Sequence, residues 1–169
     1  MSLRILATIL SMNFLLVLHA QKEPGLEQWQ WLLGKWEGEG SGRPGQGKGY
    51  FSFEYILNNK VIERKSHSEY PSQDKSSTLV HDDVMLIYPD SSGRPGKAIY
   101  LDNEGHVINY KIAYSDQSII FLSEKTTQNL VFRLTYTRLS DGEVNTRFEF
   151  AQNGKQFSTY IEGKSKKVY

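Results

Sequence analysis

The 169-residue sequence contains no cysteine, so the fold must be held together by its core without disulfides, and thiol chemistry is excluded. The sequence also has no excess of charge of either sign, because 20 Lys and Arg face 19 Asp and Glu. The one basic cluster, Lys164–Lys167, is typical of a solvated chain end. A nucleic acid or an acidic membrane surface would require a basic stripe, so neither is expected as a partner.

The common catalytic motifs are absent as well. There is no Gly-x-Ser-x-Gly nucleophile elbow and no glycine-rich loop followed by a phosphate-binding lysine. The glycines in Ser41–Gly49 lack a strand-turn-helix context, and we predict a flexible flap there. His67, His81 and His106 do not have the close spacing of a metal-binding pair on one face, so no metal site is predicted.

Only one long apolar run is present, and it lies at the N-terminus. Arg4 precedes the run Ile5–Leu18, and small Ala20 follows it, which is the layout of a signal peptide. The run is shorter than the roughly 20 apolar residues of a membrane span. We predict a signal peptide over residues 1–20 and a mature domain over residues 21–169, exported to a periplasm or to the exterior. The alternative is an N-terminal helix that packs on the domain.

The mature sequence begins with a helical pattern and then changes to alternation. Apolar residues at three- and four-residue spacing predict a short amphipathic helix over Leu26–Leu33. From Lys35 onward the period is two, which predicts ten strands. The predicted strands are Lys35–Gly40, Lys48–Leu57, Lys60–Glu69, Asp83–Tyr88, Lys97–Asp102, Val107–Tyr114, Ser118–Ser123, Leu130–Arg138, Glu143–Ala151 and Gln156–Gly163. Longer loops are expected over Pro71–Leu79 and Pro89–Gly96.

Short turns join most of these strands. Asn58-Asn59, Asp141-Gly142 and Asn153-Gly154 favour tight hairpins, which force neighbouring strands to run antiparallel. A meander of ten strands either leaves two exposed edges or closes on itself, and closure removes the edges. The sequence therefore predicts an all-β single domain, an antiparallel up-and-down β-barrel with a short N-terminal helix. A β-sandwich is the alternative.

The alternation assigns an apolar face and a charged face to the strands. The face predicted to point inward carries Phe51, Phe53, Tyr55, Ile108, Tyr110, Ile112, Ile119, Phe121, Leu130, Phe132, Leu134, Tyr136, Phe148, Phe150, Phe157 and Ile161. The opposite face carries Ser, Thr, Asn, Lys, Arg and Glu, which is the reverse of a membrane barrel. Aromatic residues can line a ligand cavity or fill a core, and the sequence is compatible with a hollow and with a filled barrel.

The strand Lys60–Glu69 places at least one ionisable side chain on the inner face whichever way it is oriented. One parity would bury four ionisable groups together, at a desolvation cost that no ordinary interior recovers. The other parity places Arg64 inside, next to Ser66 and Ser68. Arg64 is then a lone interior cation suited to the acidic head group of a bound molecule. Its structural alternative is a pair with a backbone carbonyl or an interior tyrosine.

The segment Trp31-Leu32-Leu33-Gly34-Lys35-Trp36-Glu37-Gly38-Glu39-Gly40, a helix leading into a Gly-x-Trp strand, resembles the opening of lipocalin-like proteins. It looks closest to the nitrobindin-like haem-binding barrels and to bacterial lipocalin-like domains of unknown function. The resemblance implies that Trp36 closes one end of the barrel beneath an arginine from a late strand, with Arg133, Arg138 and Arg147 as candidates. Haem-binding members carry a late histidine ligand. The last histidine here is His106, so no haem and no other cofactor is expected unless Tyr136 or Tyr160 replaces that ligand.

Three functions are compatible with this pattern. The first is an exported protein that holds a small hydrophobic or amphipathic molecule, with Arg64 and Tyr55 or Tyr110 at its polar end and with Phe53, Phe132 and Tyr136 as further lining. The second is an enzyme that uses the same pocket, with a tyrosine beside the arginine as an acid. The third is a ligand-free interaction module with a filled barrel. The sequence specifies neither the ligand nor the oligomeric state.

Overall fold

Ten antiparallel strands close into one barrel. The computed structural model describes residues 25–38, 48–72 and 77–169, so the predicted signal peptide and most of the glycine-rich flap lie outside the described residues. The strands are β1 (Gly34–Gly38), β2 (Lys48–Ile56), β3 (Val61–Pro71), β4 (Thr78–Pro89), β5 (Pro95–Asp102), β6 (Val107–Tyr114), β7 (Ser118–Ser123), β8 (Leu130–Ser140), β9 (Glu143–Gln152) and β10 (Gln156–Val168). Each strand pairs with its neighbour in sequence, and β1 pairs with β10. The up-and-down barrel is confirmed, and the sandwich alternative is wrong.

Three strands, β3, β4 and β10, reach further into the polar segments than the alternation indicates. The ladder between β3 and β4 continues to the pair Pro71↔Thr78, inside the segment predicted as a long loop. β10 runs on to Val168, beyond the predicted end at Gly163. Ladder hydrogen bonds join backbone groups and need no apolar side chain, so a strand can extend beyond the residues with apolar alternation.

The predicted N-terminal helix is shorter than expected and of a different type. A 3-10 helix spans Leu26–Trp29, and turns carry the chain on to Leu32. So few residues cannot offset the cost of nucleating an α-helix. Gly34 then adopts a φ of 99° as β1 begins, a conformation that favours glycine. Within the described ranges no helix is long and apolar enough to cross a membrane.

The 3-10 helix closes one end of the barrel, which we call the closed end. Trp29 is fully buried, and its ring lies 5.8 Å from that of Phe53 and 6.0 Å from that of Phe121. Its Nε1 donates a hydrogen bond to the Tyr114 hydroxyl at 3.0 Å. The Tyr55 hydroxyl donates to the Leu26 carbonyl at 3.0 Å. These contacts fix the N-terminal segment across the barrel end as a plug.

Trp36 lies in the filled core above this plug, and none of the arginines that the structure describes covers it. Its Nε1 donates to the Leu32 carbonyl at 2.8 Å, and its ring stacks on Phe51. The cation over the ring is Lys167 of β10, with Nζ at 5.2 Å from the ring centre. The expected arginine is therefore a lysine from the neighbouring strand. The three candidate arginines form ion pairs elsewhere, Arg133 with Glu149, Arg138 with Asp141 and Arg147 with Glu162.

A bulge in β10 reverses the side-chain alternation within that strand. Thr159 pairs with Glu149, but Ile161 pairs with Phe148, so Tyr160 is an extra residue. Phe157 consequently falls on the outer face, where the Arg133 guanidinium lies 3.9 Å from its ring centre. The prediction that Phe157 and Ile161 share the inner face is wrong for Phe157, because simple alternation holds only in an uninterrupted strand.

His67 on the outer face is expected to make stability depend on pH. Its ring nitrogens lie 2.7 Å from an Asp82 oxygen and 3.3 Å from a Glu69 oxygen, and these hydrogen bonds, Asp82 first, raise the pKa of His67. A raised pKa stabilises the fold fully below the unfolded value of about 6.5, and the gain is lost as the pH rises through the folded value. The excess stability of wild type over His67→Gln in urea denaturation should therefore be larger at pH 6 than at pH 8.5. An equal difference at both pH values would contradict this.

Candidate functional site

The end of the barrel opposite the plug, which we call the open end, has an accessible interior. Toward the closed end the inward-facing side chains are almost fully buried, as Phe53, Ile62 and Ile87 show with 1 % exposure each. Toward the open end the inward-facing side chains keep partial exposure. They are Ser66, Ser68, Tyr100, Ile108, Phe132 and Phe148, with Phe150 reaching 38 %. The inward-facing side chains are thus buried in one half of the barrel and partly exposed in the other, which we call the accessible half.

Aromatic rings form one wall of the open half. Phe132 of β8 and Phe148 of β9 are stacked, with ring centres 5.7 Å apart and planes 17° from parallel. Tyr160, the extra residue of the β10 bulge, packs edge-on against Phe148 and Phe150 at 6.3 and 6.4 Å. Partly exposed aromatic surface of this kind is typical of a pocket that accepts apolar molecules.

A buried ion pair lies below this wall. Arg64 of β3 and Asp83 of the neighbouring strand β4 are each 7 % exposed. The Nη1 of Arg64 donates a hydrogen bond to Oδ1 of Asp83. The Arg64 guanidinium carbon lies 5.8 Å from the ring centre of Phe51 and 6.0 Å from that of Tyr136. The expectation of a lone interior cation is therefore wrong, because Asp83 balances its charge.

The ion pair sets the protonation of the groups around it. Burial alone would lower the pKa of Arg64, but the Asp83 carboxylate reverses this and raises it, so the guanidinium stays charged. Burial raises the pKa of Asp83, and the Arg64 charge opposes that rise. Burial also raises the pKa of Tyr136 to about 12 against the opposing Arg64 charge, and it raises the pKa of Tyr100 and Tyr110. All three phenols keep their protons at neutral pH.

Two polar groups at the ion pair have no hydrogen bond of normal geometry, although the Arg64 guanidinium and the Tyr136 hydroxyl lie close enough to interact with each other. Among the described residues, the buried side-chain atoms without a hydrogen bond are Arg64 Nε, the Tyr136 hydroxyl oxygen and Thr146 Oγ1. An unsatisfied buried group costs about 1–3 kcal/mol, so such groups are rare and point to a functional role. Two of the three belong to neighbouring side chains at the floor of the accessible half. We call Arg64, Asp83, Tyr100, Tyr110 and Tyr136 the central polar cluster.

The structure brings only some of the predicted ligand-binding residues together. Arg64, Tyr110 and Tyr136 meet in the central polar cluster, and Phe132 lies above them in the aromatic wall. Phe53 belongs to the filled half. The Tyr55 hydroxyl is occupied at the closed end by the Leu26 carbonyl and by Gln30. Tyr110 therefore lies next to Arg64, whereas Tyr55 helps to hold the plug.

Sequence reasoning missed Asp83 and Tyr100. Alternation along β4 was sufficient to find Asp83, because it has the parity of Met85 and Ile87, both buried to 1 % or less. Tyr100 likewise has the parity of buried Ala98 on β5. A charge inside a barrel requires a partner on an adjacent strand, and that requirement was the available signal.

A chain of hydrogen bonds links the cluster to the rim of the open end. The Tyr100 hydroxyl lies 2.9 Å from Nε2 of His81 and 3.1 Å from Asp102 Oδ2. His106 Nδ1 lies 2.8 Å from the same Asp102 oxygen, and His81 Nδ1 lies 3.2 Å from Glu104. In the ranges that the structure describes, no three His, Asp or Glu side chains are placed to hold a metal ion.

The outer surface of the barrel also carries a hollow. A hollow of about 340 Å³ on β7, β8 and β9 is lined by Ile120, Arg133, Thr135, Thr137, Leu139, Asn145, Arg147 and Glu149. Its two arginines already pair with Glu149 and Glu162. It is the external alternative to the lumen as a binding site.

No protein-family model and no curated protein matches the sequence. Solved structures are similar in fold. Rv2717c from M. tuberculosis has a TM-score of 0.56 and 12% identity, over 86% of this chain and 98% of that one. The S-type phycobiliprotein lyase CPES from Guillardia theta has a TM-score of 0.50 and 7% identity, over 85% and 92%. At such identities the likeness is one of fold alone. The chain has a lipocalin-like β-barrel fold.

Proposed function

We propose that this barrel binds a small hydrophobic or amphipathic molecule in its open half. The observation that carries the proposal is the partly exposed aromatic wall of the open half above two buried donors, Arg64 Nε and the Tyr136 hydroxyl, that lack a hydrogen bond of normal geometry. Apolar walls with a few convergent polar groups are the usual composition of a small-molecule site. A bound molecule would satisfy both donors.

The position of these groups also gives the ligand an orientation. Its polar end lies on Arg64 and Tyr136, with Tyr110 beside them. Its apolar body lies against the stacked rings of Phe132 and Phe148, nearer to the open end. Tyr55 takes no part, because its hydroxyl is bound at the opposite end of the barrel.

The nitrobindin-like resemblance would imply haem, but the residues do not fit it. In the part of the chain that the structure describes, His81 is the histidine that faces the lumen, and its two ring nitrogens contact Tyr100 and Glu104. No histidine follows His106 in the sequence, so the late histidine that holds haem in such barrels has no counterpart here. The Tyr136 phenol stays protonated beside the Arg64 cation, and the Tyr160 ring packs edge-on against Phe148 and Phe150. A metal-free organic molecule is therefore the ligand class we propose.

The proposal is tested by filling the lumen. Calorimetric titration with 2-ethylnaphthalene should show saturable 1:1 binding to wild type. Ser68→Phe on β3 puts a large ring into the accessible half, and we expect it to weaken binding by about tenfold or more, since the ring occupies the ligand volume. The matched control, Ser52→Phe, places the same ring on the outer face of β2. Equal binding by both variants, or no binding by wild type, would contradict the proposal.

We further propose that the protein works outside the cytoplasm, on the basis of the apolar run Ile5–Leu18 and the small residue Ala20. Protein isolated from its own host should then begin at Gln21, as determined by N-terminal sequencing and intact mass. A chain that still carries Ile5–Leu18 after purification from a cell-envelope or culture fraction would contradict export by a cleaved signal.

A further inference from the structure

We infer that the polar group recognised at the floor of the lumen is an uncharged hydrogen-bond acceptor, such as a ketone, ester or amide carbonyl, and not a carboxylate or another anion. This inference rests on the ligand-binding function proposed above and narrows its ligand class. Three properties of the central polar cluster support it.

The first property is charge balance. Arg64 is the cation of the cluster, and Asp83 already neutralises it through a direct ion pair. Asp102, whose side chain is 3 % exposed, is a second carboxylate beside the cluster, and it accepts a hydrogen bond from the Tyr100 hydroxyl. Glu104 lies beyond it at the rim, next to His81. Among the described residues Arg64 is the buried cation, and it is already matched, so an anionic head group would enter this low-dielectric interior without a partner from them.

The second property is the kind of group left unpartnered. The Nε of arginine can only donate a hydrogen bond. Burial keeps the Tyr136 phenol protonated, so its hydroxyl can donate as well. The guanidinium also interacts with the Tyr136 oxygen, which leaves the phenol O–H to donate to an acceptor oxygen of the ligand. An ammonium group does not fit here, because it has no acceptor and the Arg64 charge would repel it.

The third property is the surroundings of these donors. The Arg64 guanidinium lies over the faces of Phe51 and Tyr136, and the accessible wall above is built from Phe132 and Phe148. On the side of Phe132 and Phe148, apolar surface faces the rest of the ligand. The site therefore fits a flat or compact apolar molecule that carries one neutral oxygen.

Three probes with the same ring system distinguish recognition of a neutral oxygen, recognition of an anion and binding without a polar group. 2-Acetonaphthone carries a neutral carbonyl, 2-naphthoate carries a carboxylate at pH 7.5, and 2-ethylnaphthalene has no polar group. Calorimetric titration of the wild-type protein should give the tightest binding for the ketone. We expect the ketone to bind about fivefold or more tightly than the hydrocarbon, and naphthoate to bind more weakly than both.

Two variants test the assignment of the groups. Tyr136→Phe removes one donor and should lower the preference for the ketone over the hydrocarbon, measured as the ratio of the two dissociation constants, by about threefold to tenfold. Asp83→Asn removes the balancing charge, so naphthoate should bind more tightly to this variant than to wild type. Tyr136→Phe keeps the test valid if Asp83→Asn does not fold.

The outcomes separate this inference from the function on which it rests. If wild type binds none of the three probes, the proposed ligand-binding function fails, and the inference fails with it. If the hydrocarbon binds in the lumen but naphthoate binds as tightly as the ketone, the inference is overturned and the proposed function stands. An unchanged ketone preference in Tyr136→Phe would also overturn it.

Discussion

Replacing Arg64 with methionine is expected to lower the free energy of unfolding by about 3–5 kcal/mol, because the substitution leaves Asp83 buried without its partner. Methionine retains much of the side-chain volume, so the loss of charge is the main change. Urea denaturation at pH 7 measures the effect, and the midpoint should fall at an unchanged m-value.

Two further variants separate the ion pair from other consequences of the substitution. Arg64→Met combined with Asp83→Leu removes both charges and should be more stable than Arg64→Met alone, since no unpaired charge stays buried. Arg147→Met removes the exposed pair with Glu162 and should cost less than about 1 kcal/mol. A double variant at least as unstable as the single one would show that the ion pair does not determine the effect.

Replacing Trp29 with alanine is expected to cost about 3–5 kcal/mol, because the side chain is fully buried and plugs the closed end. The substitution removes ring contacts with Phe53, Phe121 and Tyr114 and leaves the Tyr114 hydroxyl without its donor. Urea denaturation again gives the free energy.

Trp31→Ala is the matched control for the plug. Trp31 is the same residue type two positions along, but it is only half-buried against the core. Its loss should cost clearly less than the loss of Trp29. Equal costs for the two variants would mean that the closed end is not held by the contacts of Trp29.

The barrel was predictable because each local signal agreed with the same fold. Alternation marked the strands, and Asn58-Asn59, Asp141-Gly142 and Asn153-Gly154 marked turns short enough to force antiparallel neighbours. The observed pairing follows that order around the whole barrel. Phe157 was not predictable in the same way, because the bulge at Tyr160 leaves no trace in a pattern of apolar and polar residues.

The candidate site was only partly predictable, because alternation gives the face of a strand and not the depth along the barrel. Tyr55, Tyr110 and Phe132 share the inward face, yet they lie at the closed end, in the middle and toward the open end. Depth depends on the stagger between strands and on which end the N-terminal segment plugs. The ion pair of Arg64 with Asp83 depends on cross-strand register, which the alternation leaves unspecified.

The central claim is that a small apolar molecule occupies the open half of the barrel, and its position can be measured directly. Isotope-filtered NMR on labelled wild-type protein with unlabelled 2-acetonaphthone reports which side chains lie within about 5 Å of the probe. The account predicts contacts to the rings of Phe132, Phe148 and Tyr136. Contacts confined to Ile120 and Leu139 in the outer hollow would contradict it.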